Sequence, residues 1–181
     1  PAADETRDPL LPDRVPVVGT AGPLEAVKGF PFFLSAAQQV LATGRGVEFL
    51  IAGAGPEEFN LRRLARQLGI ADKVTFVPNL SDLTESLEAM DVFCLPSLEQ
   101  GLGTIMLEPM AMGKPVIATG VGGVYSVVGG ARKGLMVARA GRERVVSEFG
   151  VEKMIRQTVD LYRELLNVPE PAAPVSAGNR H

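Results

Sequence analysis

A pair of glycines, one glutamate and one lysine are the residues of this 181-residue chain whose types and spacing suit chemistry. They centre on the run from Leu95 to Val128, LPSLEQGLGTIMLEPMAMGKPVIATGVGGVYSVV. Gly101 and Gly103 are expected to open a helix running to Met112. A helix start carries free N–H groups and roughly half a positive charge, so a turn without side chains there suits an anion such as a diphosphate. Lys28, on the loop after the first expected strand, adds a full cation for the same anion. Glu108 stands alone among Ile105, Met106, Leu107 and Met110, two turns into the same expected helix. A carboxylate there can accept hydrogen bonds from paired hydroxyls, whereas most glutamates are solvated surface residues. Met106, Met110 and Met112 read as core packing.

Other chemistries find no residues. His181 is the only histidine and sits in the tail, which excludes histidine acid–base catalysis and a metal cluster within the chain. Cys94 is the only cysteine, so no internal disulfide forms, and its apolar surroundings mark it as a small buried hydrophobe. A reducing cytoplasm fits that usage. Gly53-Ala54-Gly55 lacks the third glycine of a dinucleotide fingerprint and reads as a plain strand-to-helix turn.

The elements that must position these residues follow from periodicity. Strands are expected at Arg14–Gly19, Val47–Ala52, Val74–Val77, Asp91–Leu95, Pro115–Thr119 and Gly134–Val137. Phe33, Ala36, Ala37, Val40 and Leu41 predict a helix over Phe30–Leu41, and Leu61, Leu64 and Leu68 mark a second, with Pro56 at its first position. Ser81 caps a third helix reaching about Met90, with Asp82 and Glu85 near its positive end. A short helix follows from Val124. Val151–Leu166 is amphipathic, with Met154, Ile155, Val159, Tyr162, Leu165 and Leu166 available for burial. Residues 1–13 read as linker, 14–167 as one domain and 168–181 as a disordered tail.

The strands are apolar runs rather than alternating ones, and they alternate with helices. That pattern predicts an α/β fold with a doubly wound parallel sheet, which binds ligands at the carboxyl ends of its strands. Apolar residues make up 46% and charged residues 22%, ordinary for a globular domain. Net charge is −3 with no Lys/Arg block, which argues against a nucleic-acid surface. No apolar stretch approaches the roughly 20 residues needed to span a bilayer.

In order and spacing these pieces resemble the C-terminal domain of GT-B glycosyltransferases of the retaining group 1, or family 4, type. The pieces are Pro96-Ser97, Gly101-x-Gly103, Glu108, Gly113-Lys114-Pro115-Val116 and Gly122-Gly123, supported by Lys28-Gly29, Gly53-Ala54-Gly55-Pro56 and Val74–Val77. The resemblance covers about Val15 to Val137 plus the final helix. It implies a Rossmann-like domain forming one half of a GT-B fold, with a nucleoside-diphosphate sugar as donor substrate and no metal or other cofactor. It further implies that Glu108 holds the ribose and that Lys28 and the amides of Gly101, Leu102, Gly103, Thr104 and Ile105 hold the phosphates. The backbone at Phe76, Val77 and Pro78 would meet the base. Gln100 would contact the sugar and the Gly53–Gly55 turn would lie near it, Ser97 and Glu99 would also bind the donor, and Gln100 and Glu108 would hold the catalytic positions. The acceptor, a saccharide or a lipid-linked one, would be held by an N-terminal domain outside this chain. By the same analogy the protein works in glycan assembly in the cytoplasm, with membrane association through that other half.

Three departures stand out. Gln100 occupies the position eight before Glu108, where the family has glutamate. Pro23 occupies the position five before Lys28, where the family has arginine. Gly134–Val137 runs directly into Ala138–Arg142, where the family has a loop and a helix, so an omitted stretch is expected at Val137–Ala138. Two other readings remain at this level: a nucleotide-sugar 2-epimerase domain on the same fold, and a nucleotide-binding module without catalysis.

Overall fold

A computed structural model of the chain describes residues 14–78, 83–101, 103–124, 127, 135–136 and 138–166. Six strands form one sheet: β1 (Val17–Ala21), β2 (Glu48–Ala52), β3 (Val74–Val77), β4 (Val92–Leu95), β5 (Val116–Ala118) and β6 (Leu135–Met136). Their order is β3-β2-β1-β4-β5-β6. The first five pair in parallel, and β6 adds an antiparallel edge with Ile117 opposite Leu135. The helices are α1 (Phe30–Ala42), α2 (Glu58–Gln67), α3 (Leu83–Ala89), α4 (Leu107–Ala111), α5 (Ala138–Glu148) and α6 (Val151–Leu166).

The apolar strand β2 is buried on both faces because helices cover both. Phe49 and Ile51 of β2 pack with Phe30, Phe33, Leu34 and Ala37 of α1 and with Leu61 and Ala65 of α2. Leu50 and Ala52, one residue out of phase, face the opposite layer with Leu87, Met106 and Met110. Phe93 of β4 is fully buried in that second layer, a placement that contributes roughly 1.5–3 kcal/mol. The sheet is thus doubly wound, and its order turns back between β1 and β4. That turning point lies at the β1/β4 carboxyl ends, where ligands bind in open α/β sheets.

Several expectations are corrected. The first strand runs Val17–Ala21 rather than Arg14–Gly19. Pro16 has no N–H to give a ladder, and Asp91 anchors the segment by accepting from the Val17 N–H at 2.8 Å and pairing with Arg14 at 3.0 Å. The expected doubly wound parallel sheet is present over β1–β5, and β6 adds an antiparallel edge strand, a common addition to a parallel sheet. The buried face of α1 is Phe30, Phe33, Leu34 and Ala37, while Ala36 and Val40 are exposed, because the face that meets β2 is rotated from the expected one. Pro56 lies in the turn ahead of α2, which opens at Glu58.

The largest local correction concerns the glycine-opened helix. Gly101 and Gly103 are not helical; a 3-10 turn spans Thr104–Met106 and the α-helix only Leu107–Ala111. Pro109 explains the late start: within a continuous helix it would lose its bond to the Ile105 carbonyl, whereas in the first turn of α4 no N–H is needed. Glu108 therefore sits in that first turn rather than two turns in.

At the C-terminal end, α5 is a helix where the sequence suggested only the flank of a missing stretch. Val137, where that omission was placed, lies outside the described residues, as do Ser81, Asp82 and the segments 1–13 and 167–181. The helix expected from Val124 is described at Val124 and Val127, both buried. α6 matches its expected span, but its apolar residues are uncovered: Met154 is 58% and Leu165 69% exposed, and Ile155, Val159 and Tyr162 are exposed as well. Amphipathic spacing makes such a face; burial also needs a partner, and Leu107 of α4 and Phe149, which face Met154 and Leu161, leave a hollow beside them.

Candidate functional site

The loops after β1 and β4 are built against each other. Gly29 adopts a left-handed conformation (φ 68°) between the turn Ala26–Lys28 and α1. A methyl group there would overlap the Pro96 carbonyl oxygen, so only glycine lets the two loops meet. The Val27 carbonyl accepts from the Leu98 N–H at 2.8 Å, tying the lysine loop to the Pro96–Gln100 loop. On the other side, Thr119 at the end of β5 donates its hydroxyl to the Ser97 carbonyl at 2.5 Å. The Gly123 N–H donates to the Gly101 carbonyl at 2.7 Å. Three strand ends thus converge on the segment Pro96–Gly101.

This docking puts Lys28 beside Gln100. The Lys28 ammonium donates to Gln100 Oε1 at 3.4 Å, and the buried Ser97 hydroxyl donates to the same oxygen at 3.1 Å. A cavity of about 130 Å³ opens there at the sheet's turning point. Ala21 and Leu95 at the strand ends form its floor, and Gly22, Pro23, Lys28, Gln100, Thr104 and Ile105 form its walls. Lys28 is the only charged residue among them. The arrangement suits a small anion or a polar group with several oxygens: one cation, one primary amide, one exposed hydroxyl and the chain turning into Thr104–Met106. A whole nucleotide sugar needs more, since ligand pockets run to about 300–1,000 Å³.

The structure therefore brings Lys28, Ser97, Gln100, Thr104 and Ile105 together. Gly101 and Gly103 do not line the cavity but are chain neighbours of Gln100 and Thr104, which do; a methyl group at Gly101 would meet no described atom within 4 Å. Glu99 is exposed, with its N–H 3.4 Å from the Val27 carbonyl. Glu108 is exposed on α4, one turn beyond Thr104, and does not line the cavity. Leu102 lies outside the described residues.

Two groups of expected residues stand apart from the cavity. Gly53 and Gly55 are filled by neighbours: a methyl group on either would overlap the backbone of Gly22 or Leu24. Phe76, on the edge strand β3, packs under the Arg62 guanidinium at 4.5 Å and faces a separate hollow of about 210 Å³. The Val77 carbonyl accepts from the Gly53 N–H at 2.8 Å, and Pro78 is exposed just beyond. A third hollow, about 480 Å³, lies between α4 and α6. Both are larger than the β1/β4 cavity, but neither combines a cation and an amide at a strand end, so the chemistry favours the smaller one.

Sequence reading missed the roles of Thr119, Gly29 and Gly122, which seat the loops. The signal available was a glycine directly after a strand or its turn. Cys94 is half-buried on β4, and burial pushes its thiol up to about 11, so it stays protonated at neutral pH. Among the described residues, no group of three His, Cys, Asp or Glu side chains is placed to hold a metal ion, and no helix is long and apolar enough to cross a membrane.

Comparison with known proteins follows the same lines. A family model described as glycosyl transferases group 1 matches residues 15–150. The chain is 28% identical over 179 aligned residues to the 2-deoxystreptamine glucosyltransferase of Streptomyces kanamyceticus, covering 83% of this chain and 46% of that protein. The fold is similar to HepE of Anabaena, solved in complex with UDP, with a TM-score of 0.73 at 20% identity over 83% of this chain and 49% of that one. It is also similar to the C-terminal domain of a glycosyl transferase group 1 family protein from Francisella tularensis, with a TM-score of 0.62 at 18% identity over 76% of this chain and 89% of that domain. The chain spans less than half the length of the curated relatives it matches.

Proposed function

The chain belongs to the glycosyl transferase group 1 family, and from that membership we propose that it is the donor-binding half of a retaining enzyme that moves a sugar from a nucleoside diphosphate to an acceptor. The observation that carries this reading is the cavity at the β1/β4 turning point, walled by Lys28, Gln100, Thr104 and Ile105. Its size and single cation suit the diphosphate rather than the whole donor. Lys28 and the chain at Gly103–Ile105 bind the phosphates, and Gln100 and Ser97 lie toward the sugar. Glu108, one turn along, accepts hydrogen bonds from the ribose. The nucleoside extends past Gly53–Gly55 toward the backbone at Val77 and Pro78.

HepE, similar in fold, was solved with UDP, which supports a nucleotide donor for this chain. Leaving-group charge is handled by the ammonium and the amides, as electrostatic stabilisation in a water-poor site requires, with no metal or other cofactor. The acceptor, saccharide or lipid-linked, is held by a half of the enzyme outside this chain, and transfer takes place between the two.

Isothermal titration of the chain with UDP, GDP and ADP tests this reading, beside Glu108→Ala. One diphosphate binds, and the substitution weakens it by about 1–3 kcal/mol, the cost of an unpaired polar contact. Failure of all three to bind, in this chain and in the full-length protein alike, overturns the proposal.

A further inference from the structure

We infer that Gln100 is a positioning residue that spares the charge of Lys28: it holds the ammonium through a neutral carbonyl and leaves that charge available to the donor's diphosphate. The inference rests on the donor-site reading and extends it to a residue that sets the site's electrostatics.

The geometry singles out one oxygen. Gln100 Oε1 accepts from Lys28 Nζ at 3.4 Å and from Ser97 Oγ at 3.1 Å. Ser97 is 1% exposed, and its own carbonyl is held by Thr119, so the hydroxyl donor is fixed in place. With its oxygen engaged twice, the side chain keeps its amide N–H groups for the cavity. A primary amide has two donors there, and among the described residues none of them meets an acceptor.

Lys28 has no carboxylate within ion-pair distance among the described residues. The nearest acidic residues along the two loops, Glu25 and Glu99, are both exposed. Pro23, on the cavity wall, adds no donor. Among the described residues the cavity thus has one cation in its wall, and whatever stands at position 100 controls whether that cation is already neutralised. A glutamate with its oxygen at the same 3.4 Å would form an ion pair with Lys28 and repel the incoming phosphates. Glutamine has the same shape and length, accepts the same two hydrogen bonds and leaves the cavity positive.

The test compares wild type with Gln100→Glu and Gln100→Met in the full chain, using inorganic pyrophosphate and the nucleoside diphosphates as probes at pH 7.5 and low salt. Gln100→Glu should weaken pyrophosphate and nucleotide at least tenfold with a thermal midpoint close to wild type, and Gln100→Met only a few-fold, with a lowered midpoint because the buried Ser97 hydroxyl loses its acceptor. Added salt should weaken pyrophosphate binding more steeply in wild type than in Gln100→Glu, because an unneutralised cation is the one that salt screens. Equal affinity of wild type and Gln100→Glu, or equal salt dependence of the two, overturns the inference. So does the absence of pyrophosphate binding by wild type. Pyrophosphate that binds and responds as expected while no nucleotide binds leaves the inference standing and removes the donor reading instead.

Discussion

Gly53-Ala54-Gly55 after β2 and Gly101-Leu102-Gly103 after β4 share a spacing and lie at the same end of the sheet, yet their surroundings differ. At the first turn the missing side chains are replaced by protein. Gly53 (φ 151°) abuts the Gly22 carbonyl and Gly55 abuts Leu24, while the Gly22 N–H donates to Ala52 and the Leu24 N–H to Ala54. At the second turn, no described atom stands within 4 Å of a methyl group at Gly101, while Gly103 (φ 68°) is closed in by the side chains of Val124 at 3.1 Å, Met106 at 3.2 Å and Gln100 at 3.8 Å rather than by backbone. One Gly-x-Gly closes the packing of two loops; the other is flanked in the chain by Gln100 and Thr104, which line a cavity with a cation in its wall. The lesson is that this spacing states only that a side chain is unwelcome. What fills the space decides between packing and binding.

Substitutions sharpen or break that contrast. The largest effect is expected from Gly53→Ala, which puts a methyl group into backbone and strains a left-handed position. Urea denaturation should show a loss of about 3 kcal/mol, of the size caused by special backbone positions and overpacking. A midpoint equal to wild type would erase the distinction between the turns. Next comes Lys28→Ala. It removes the only cation among the described residues of the cavity, so diphosphate affinity measured calorimetrically should fall by about 1.5–3 kcal/mol, the range for hydrogen bonds to charged groups. Because Lys28 is half-buried without an ion partner among the described residues, stability should stay within about 0.5 kcal/mol. A stability loss as large as the binding loss would reclassify Lys28 as structural.

The smallest effect is expected from Gly101→Ala. Nothing stands within 4 Å of the added methyl group, so the urea midpoint should shift by less than about 0.5 kcal/mol, while pyrophosphate binding weakens a few-fold. A marked loss of stability with unchanged binding would place Gly101 in the same class as Gly53.

Much of the fold was legible because its signals are local. Apolar runs such as Phe49–Ala52 and Phe93–Leu95 read as strands buried on both faces, and the helical spacing of Leu61 and Leu64 read as α2. The late start of the helix around Glu108 is legible too, since Pro109 forbids a continuous helix from Gly101. The site was legible in its components, Lys28, Gln100 and the glycines, mainly through their order along the chain. Which of them touch was not legible. Gln100 and Lys28 are 72 residues apart, and nothing in either neighbourhood states that the two loops meet.

α6 shows the same limit from the other side. Its spacing correctly marks an apolar face from Met154 to Leu165, but spacing carries no information on whether that face is covered. Ile117, on the one face of β5 that no helix covers fully, is 43% exposed for the same reason.

By itself, then, the sequence determined the alternation of strands and helices, the two-faced burial of β2, and the residue types available for binding an anion. Each depends on neighbours within a few positions, where periodicity and backbone preference act. The tertiary structure alone decided that β1 and β4 are adjacent, that Gly29 lets the lysine loop reach Pro96, and that Gln100 faces Lys28 while Gly53 and Gly55 are filled. Those outcomes depend on the order of strands in the sheet, a choice made by packing across the whole chain and recorded in no local stretch of it.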